Sequence, residues 1–267
     1  RKILVIDGHT AFTGGVNLAD EYINRKVRFG HWKDNAIRLK GEAVKSFTVM
    51  FLQMWSVCAF RPEYDFDYGP FLDTGDHFHS PALNMDGYSI PFSDSPLDGE
   101  PVGHQVYLDI IYKARRYVYI MTPYLILDNE MVTNLTYTAK CGIEVIIIMP
   151  HIPDKWYAFA VAQTYYEELI SAGVQIYEYT PGFVHAKVFV SDNDTATVGT
   201  INLDYRSLYH HFECGTFIYN NPVVWEIERD FQNTLKTSQK ITMLDVKERR
   251  IGMKMVGSVL RLIAPLM

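Results

Sequence analysis

His185 and Lys187 stand two residues apart, and Asp192, Gly199, Thr200 and Asn202 follow at short intervals. An imidazole beside an ammonium group suits phosphodiester exchange. A neutral ring nitrogen can attack phosphorus or, once protonated, release the departing alcohol, while the cation balances charge on the equatorial oxygens. Residues i and i+2 of a strand point to one face. Read as strand, this segment projects His185 and Lys187 together, with Val184, Ala186 and Val188 packed beneath. Gly199-Thr200 suits a tight backbone turn, and Asn202 can donate a further hydrogen bond to phosphate. None of these steps calls for a metal or another cofactor.

The spacing occurs twice. Lys2, Asp7, Gly14 and Asn17 each precede Lys187, Asp192, Gly199 and Asn202 by 185 residues, so both copies read K-x4-D-x6-G-x2-N. A duplicated cluster lets one imidazole attack while its twin protonates the leaving alcohol, and water or a second alcohol then resolves a phosphohistidine. Two chemically alike copies do not say whether His185 is the nucleophile or the acid. In the first copy, the position matching His185 is the one before Arg1. The run Arg1-Lys2-Ile3-Leu4-Val5-Ile6-Asp7 begins inside a predicted strand, without an initiator Met, and the chain is read as an N-terminally truncated piece of a longer product.

The elements that must position these groups follow from periodicity. Residues 2–6 read as a strand closed by Asp7-Gly8, and Val44, Phe47, Met50, Phe51 and Met54 give a helix over 43–55. Half of the twelve prolines fall in 61–105, which reads as a connector. Helices are predicted over 106–113, 130–141 and 158–172, the last two stopped by Gly142 and Gly173. Strands are predicted over 117–121, 144–149, 174–179, 186–191, 195–198 and 213–219. Alternating helices and strands imply an α/β fold.

With these residues in view, the chain resembles the phospholipase D superfamily and, within it, the bacterial cardiolipin synthases. The likeness covers essentially all 267 residues. It rests on Gly14-Gly15-Val16-Asn17 with Asp20-Glu21-Tyr22, Trp32-Lys33-Asp34, Thr122-Pro123-Tyr124, Ala139-Lys140-Cys141-Gly142-Ile143-Glu144-Val145 and Gly199-Thr200-Ile201-Asn202-Leu203-Asp204-Tyr205-Arg206-Ser207. The extension from Leu203 to Ser207 resembles the lipid synthases more than the small nucleases. The resemblance implies duplicated lobes, each a mixed β-sheet flanked by helices, around one cleft. Residues 1–95 would hold the end of the first lobe and the connector, 96–240 the second lobe, and 241–267 a basic tail. It implies His185, Lys187, Asp192, Lys2 and Asp7 as catalytic residues, and Asn17, Asn202, Gly199 and Thr200 as substrate contacts. Each site histidine would be oriented by an acid on a later strand, the acids being Asp34 in the first half and Glu213 in the second. The pair His210-His211 departs from the family pattern beside Glu213.

The expected activity is that of a phosphatidyltransferase condensing two phosphatidylglycerol molecules to cardiolipin and glycerol through a phosphohistidine. The alternatives are a phospholipase D-type phosphodiesterase, acting on phospholipid or nucleic acid, and a non-catalytic membrane-binding module. The expected partners are phosphatidylglycerol, other anionic phospholipids and a membrane surface. The expected location is the bacterial cell membrane, with the catalytic region on the cytoplasmic side.

Composition bears on the alternatives. With 25 basic and 31 acidic residues the net charge is −6, which disfavours a nucleic-acid partner. Cys58, Cys141 and Cys214 lie far apart, giving neither a zinc knuckle nor a disulfide framework, and Cys141 reads as the end of a buried helix. His77 and His79 near Asp76 lack a third ligand, and adjacent His210 and His211 face opposite sides of a strand, so no metal site is expected. Residues 246–267 carry five basic side chains against Glu248 alone. Ile251, Met255, Val259 and Ile263 recur every fourth position there, which fits either a helix lying on an anionic membrane or one packed back on the protein. Oligomeric state is not legible.

Overall fold

The computed structural model describes residues 1–58, 67–73, 87–249 and 251–266. Strand β1 (Ile3–Ile6) turns at Asp7 and returns as β2 (Thr10–Gly14). After a 3₁₀ turn at Asp20–Ile23 come β3 (His31–Lys33) and β4 (Ala36–Lys40), and β4 joins β2 in a three-stranded antiparallel sheet. Buried Ile37 and Leu39 alternate with exposed Arg38 and Lys40, as in a sheet with one covered face. Helix α1 (Ala43–Cys58) lays Val44, Phe47 and Met50 into the same core.

Beyond the short α2 (Gly69–Leu72) come β5 (Tyr88–Asp94), α3 (Val102–Lys113), β6 (Tyr117–Met121), α4 (Asn129–Lys140), β7 (Glu144–Pro150), α5 (Trp156–Ser171) and β8 (Gln175–Tyr179). Asp128 starts α4 by accepting from the Met131 N–H at 2.7 Å, and Gly142 at φ +87° ends it. The chain continues through β9 (Gly182–Val184), β10 (Val188–Ser191), β11 (Thr195–Gly199) and β12 (Glu213–Tyr219). It closes with α6 (Val223–Leu235), β13 (Ser238–Ile241), α7 (Met243–Glu248) and α8 (Ile251–Arg261).

Eight strands form one mixed sheet in the order β13-β8-β7-β6-β10-β11-β12-β5, with β6, β7 and β8 mutually parallel. Both of its faces are covered, so β6, and β7 beyond the exposed Glu144 at its start, are buried. Val118, Ile120 and Ile147 point to the side of α3, α4 and α5, whereas Tyr119, Met121 and Ile146 point to the other. That second core also contains Ala11, Ile37 and Phe47 from the first half, so the two halves share one apolar interior. Between the sheets, β3 pairs in parallel with β9, Trp32 opposite Phe183. Lys33 Nζ meets Asp230 at 2.7 Å as a further tie.

Three sequence expectations change. Tyr88–Asp94, expected within a connector, is an edge strand bonded to β12 along its whole length, an edge being where a sheet tolerates Pro91. Residues 185–187 lie in no strand; they span the gap between β9 and β10, which belong to different sheets. His77 and His79 lie outside the described residues. Cys141 is exposed rather than buried.

Candidate active site

The two copies of the repeat fold as the same hairpin. Ile3 opposes Thr13 and Ile6 opposes Thr10 in the first; Val188 opposes Val198 and Ser191 opposes Thr195 in the second, the same register 185 residues on. Each hairpin's second strand then pairs with a strand that an acid precedes or opens. Gly14 opposes Ala36, two residues after Asp34, and Gly199 opposes Gly215, two residues after Glu213. Asp34 and Glu213 are therefore equivalent, although the first copy has six more residues before its acid.

The acids are used across the halves. Asp34 Oδ2 lies 2.8 Å from His185 Nδ1, so the first half orients the histidine of the second. This corrects the expectation that a later strand supplies the acid for His185: β12 carries Glu213, which has other partners. The crossing follows from the parallel β3–β9 ladder, in which the Lys33 carbonyl accepts from His185 N–H at 2.7 Å and sets the two side chains together. Asp34 Oδ1 accepts from Asn35 N–H at 2.9 Å. Gly15 makes room for this carboxylate: a Cβ there would stand 2.0 Å from Asp34 Oδ1.

The pair is nearly closed off, its side chains 12% and 3% exposed. Burial, then the charge of Lys187, pushes His185 down to about 4 against the pull of Asp34. Burial alone would lift the Asp34 carboxyl; the His185 bond and the Lys187 charge outweigh it and hold Asp34 below the usual carboxylate range. At neutral pH the pair is a carboxylate and an uncharged imidazole whose proton sits on Nδ1.

Lys187 is only 2% exposed, and its Nζ donates to the His185 carbonyl. Burial pushes it down to about 7, Asp34 resists, and the charge of Lys2 adds to the lowering. Lys2 is half-buried and its charge reaches both His185 and Lys187, so the two lysines of the repeat share one site.

Around Glu213 the second half keeps its own network. Thr200 Oγ1 donates to Glu213 Oε2, and Ser207 Oγ lies 3.3 Å from Oε1. Thr200, expected to bind substrate, is buried and committed to Glu213 and Cys214. Gly199 permits close strand approach, since a Cβ would meet the Cys214 carbonyl at 2.5 Å. Asn202 Nδ2 donates to Ser207 Oγ at 3.0 Å, and its Oδ1 has no partner. Asn17 Nδ2 donates to Tyr22 Oη at 2.6 Å, the same five-residue reach in the first copy.

Asp192 and Asp7 stand apart from this cluster. Both occupy the hairpin turns in left-handed backbone, at the far ends of β10 and β1. The Asp192 carboxylate accepts from the N–H groups of Arg115, Arg116 and Tyr117 at 2.7, 2.9 and 3.0 Å, anchoring β6; Asp7 is exposed. Neither touches His185, so the expectation of a catalytic contact is replaced by an anchoring one for Asp192. The structure adds Tyr22, Trp32 and Phe183, whose rings surround His185. In the sequence, the runs Asp20-Glu21-Tyr22 and Trp32-Lys33-Asp34 signalled two of them, and nothing signalled Phe183. Among the described residues, no cluster of three His, Cys, Asp or Glu could hold a metal.

Residues 107–235 match the family described as cardiolipin synthase, PLD-like domain. An uncharacterized protein of Streptococcus mutans is 56% identical over 267 residues, covering all of this chain and 56% of its own. Cardiolipin synthase 2 of Bacillus cereus is 36% identical over 271 residues, covering all of this chain and 51% of its own. The chain thus spans about half the length of the curated relatives it matches. The crystal structure of phosphatidylserine synthase from Haemophilus influenzae shares the fold with a TM-score of 0.71 at 15% identity, over 100% of this chain and 70% of that one. Taken with the doubled hairpin and its crossed acid, these likenesses assign the chain to the phospholipase D superfamily, on its cardiolipin synthase side.

Proposed function

We propose that the protein is a phosphatidyltransferase that joins two phosphatidylglycerol molecules into cardiolipin and releases glycerol. The observation that carries this reading is the His185–Asp34 pair, built from both halves of the chain and flanked by Lys187 and Lys2. An uncharged imidazole whose Nδ1–H is held by a carboxylate keeps the Nε2 lone pair available, which supports His185 as the nucleophile. In the first step Nε2 bonds to phosphorus, the bond from phosphorus to the glycerol oxygen breaks, and that oxygen takes a proton from a second imidazole. In the second step another phosphatidylglycerol hydroxyl returns a proton to that imidazole and attacks phosphorus, and the N–P bond breaks. Lys2, Lys187, Asn17 and Asn202 serve as phosphate contacts. The division into two lobes and a tail is part of the proposal, with β5 counted in the second lobe.

The membrane surface belongs to the same reading. Helix α8 packs on α5 through Gly257, where a Cβ would stand 2.5 Å from the Ala160 carbonyl. Its stripe faces outward: Met255 is 67% and Val259 65% exposed, and Leu262 and Ile263 are exposed beside them. Lys254 and Arg261 are half-buried on the same helix, against the Lys247 carbonyl and over the Tyr165 ring, so the exposed apolar side chains carry the contact with a bacterial membrane, on its cytoplasmic side. No described helix is long and apolar enough to cross a membrane.

The test is His185→Ala in the full-length protein, assayed on phosphatidylglycerol vesicles. Transfer is expected to fall roughly a thousandfold or more, and an acid-labile phosphatidyl group on His185 is expected in the parent. Retained transfer in the variant refutes the mechanism. Phosphatidic acid as the sole product would make the protein a hydrolase, and cleavage of single-stranded DNA without lipid turnover would make it a nuclease.

A further inference from the structure

Three aromatic rings close around the His185 imidazole. The Trp32 ring centroid lies 5.2 Å from it, Tyr22 stands edge-on at 5.3 Å, and Phe183 lies at 5.9 Å. The rings also pack on one another, Tyr22 on Trp32 at 4.4 Å and Trp32 on Phe183 at 4.8 Å. Trp32 alone among them reaches the pair with a polar atom. Its Nε1–H donates to Asp34 Oδ2 at 3.4 Å, the oxygen that also accepts from His185 Nδ1.

Trp32 is itself tightly held. Its N–H donates to Asn24 Oδ1 at 2.7 Å and its carbonyl accepts from Asn24 Nδ2 at 3.0 Å. Asn24 adopts φ +58°, a left-handed conformation that asparagine tolerates better than most residues. The backbone of Trp32 is thus fixed by the 3₁₀ turn before it and by β9 beside it, and the indole has little freedom to leave the pair. Tyr22 in turn takes a hydrogen bond from Asn17, so the phosphate contact proposed for the first half touches the same ring cluster.

We infer that Trp32 is a positioning residue for the proposed reaction: its indole N–H steadies the Asp34 carboxylate and its ring keeps water from the His185–Asp34 pair, holding the imidazole with Nδ1 protonated and Nε2 free for phosphorus. The inference rests on the reading of His185 as the group that acts on phosphorus. A carboxylate that loses a competing donor becomes more basic and holds the imidazolium better, and a ring that loses its apolar cover regains hydration. Both effects raise the pH at which His185 gains its second proton. A merely structural tryptophan has no reason to move that midpoint.

The experiment compares Trp32→Phe and Trp32→Leu with the parent in the full-length protein. Trp32→Phe deletes the N–H and keeps a ring; Trp32→Leu also opens the cage. Two readouts are taken, the pH profile of kcat/KM on phosphatidylglycerol vesicles and the titration of His185 ring carbons by NMR. The expected result is a kcat about tenfold lower with KM within about twofold, and a His185 midpoint raised from about 4 by about one pH unit, with the acidic limb following it. An unmoved midpoint in folded Trp32→Phe overturns the inference, and so does a loss of rate that is uniform across pH. The NMR midpoint decides the matter without turnover. If the parent transfers no phosphatidyl group, the proposed function fails while the role of Trp32 is still settled, and Trp32→Phe suffices if Trp32→Leu does not fold.

Discussion

Asp34→Asn removes one charge from the pair and leaves its shape. An amide oxygen can still accept from His185 Nδ1 at the observed 2.8 Å, so the histidine keeps its place and loses only the charge-assisted part of the bond. With the carboxylate almost fully buried, that part is worth about 1.5–3 kcal/mol, or about 10- to 150-fold in rate if the imidazolium-like transition state needs it. The pH dependence makes the prediction specific. Asp34 is the largest influence opposing the fall of Lys187 to about 7, and it also opposes the fall of His185 to about 4. Without it both groups titrate lower, so the whole activity profile moves toward acid. The loss is therefore larger at pH 7.5 than at pH 5.5. The assay is phosphatidyl transfer by the full-length variant from pH 5 to pH 9, with kcat/KM fitted at each pH. Rates within twofold of the parent and an alkaline limit that stays near 7 would refute the reasoning.

Three further expectations concern separate parts of the molecule. Lys187→Met should abolish transfer and yet stabilise the fold at pH 7 by about 1–2 kcal/mol. Because burial lowers Lys187 below its unfolded value, the unfolded chain binds more protons above pH 7. Parent stability thus rises with pH and the gap to the variant narrows in melts toward pH 10. Asp192→Ala removes three hydrogen bonds to backbone N–H groups, two of them open to water, and should cost about 1–2 kcal/mol in denaturant titrations, while kcat per folded molecule stays unchanged. Met255→Ser with Val259→Ser should weaken binding to phosphatidylglycerol vesicles about tenfold in sedimentation, with stability within about 0.5 kcal/mol of the parent, since both side chains are exposed.

The doubled hairpin and most of the strands were legible, because a repeated motif and apolar runs are local signals. The runs at 117–121 and 213–219 became strands with those limits. Partner choice was not legible. Asp34 and Glu213 sit at equivalent places in two similar halves, and spacing cannot say which acid takes which imidazole; only the β3–β9 ladder decides that. Asp192 misled because a motif residue at fixed spacing looks catalytic, whereas a left-handed turn aims it at the start of β6. Strand β5 was obscured by Pro91 and its proline-rich surroundings, since edge strands escape the rule that sheets exclude proline. The exposed side of α8 was visible as a stripe of fours, but whether it faced protein or solvent depended on Gly257, whose missing side chain lets the opposite side of the helix seat on α5.

The crossing of Asp34 to His185 has a temporal meaning. The two residues are 151 positions apart in the chain, and the ribosome adds about 5–20 residues per second. For about 8 to 30 s, then, a nascent polypeptide holds the acid without its imidazole, and neither newborn half can perform the proposed exchange on nearby phosphates. Competence arrives only once His185 has emerged and β9 has zipped against β3, so translation itself keeps the reagent latent until the cleft that must contain it has been assembled.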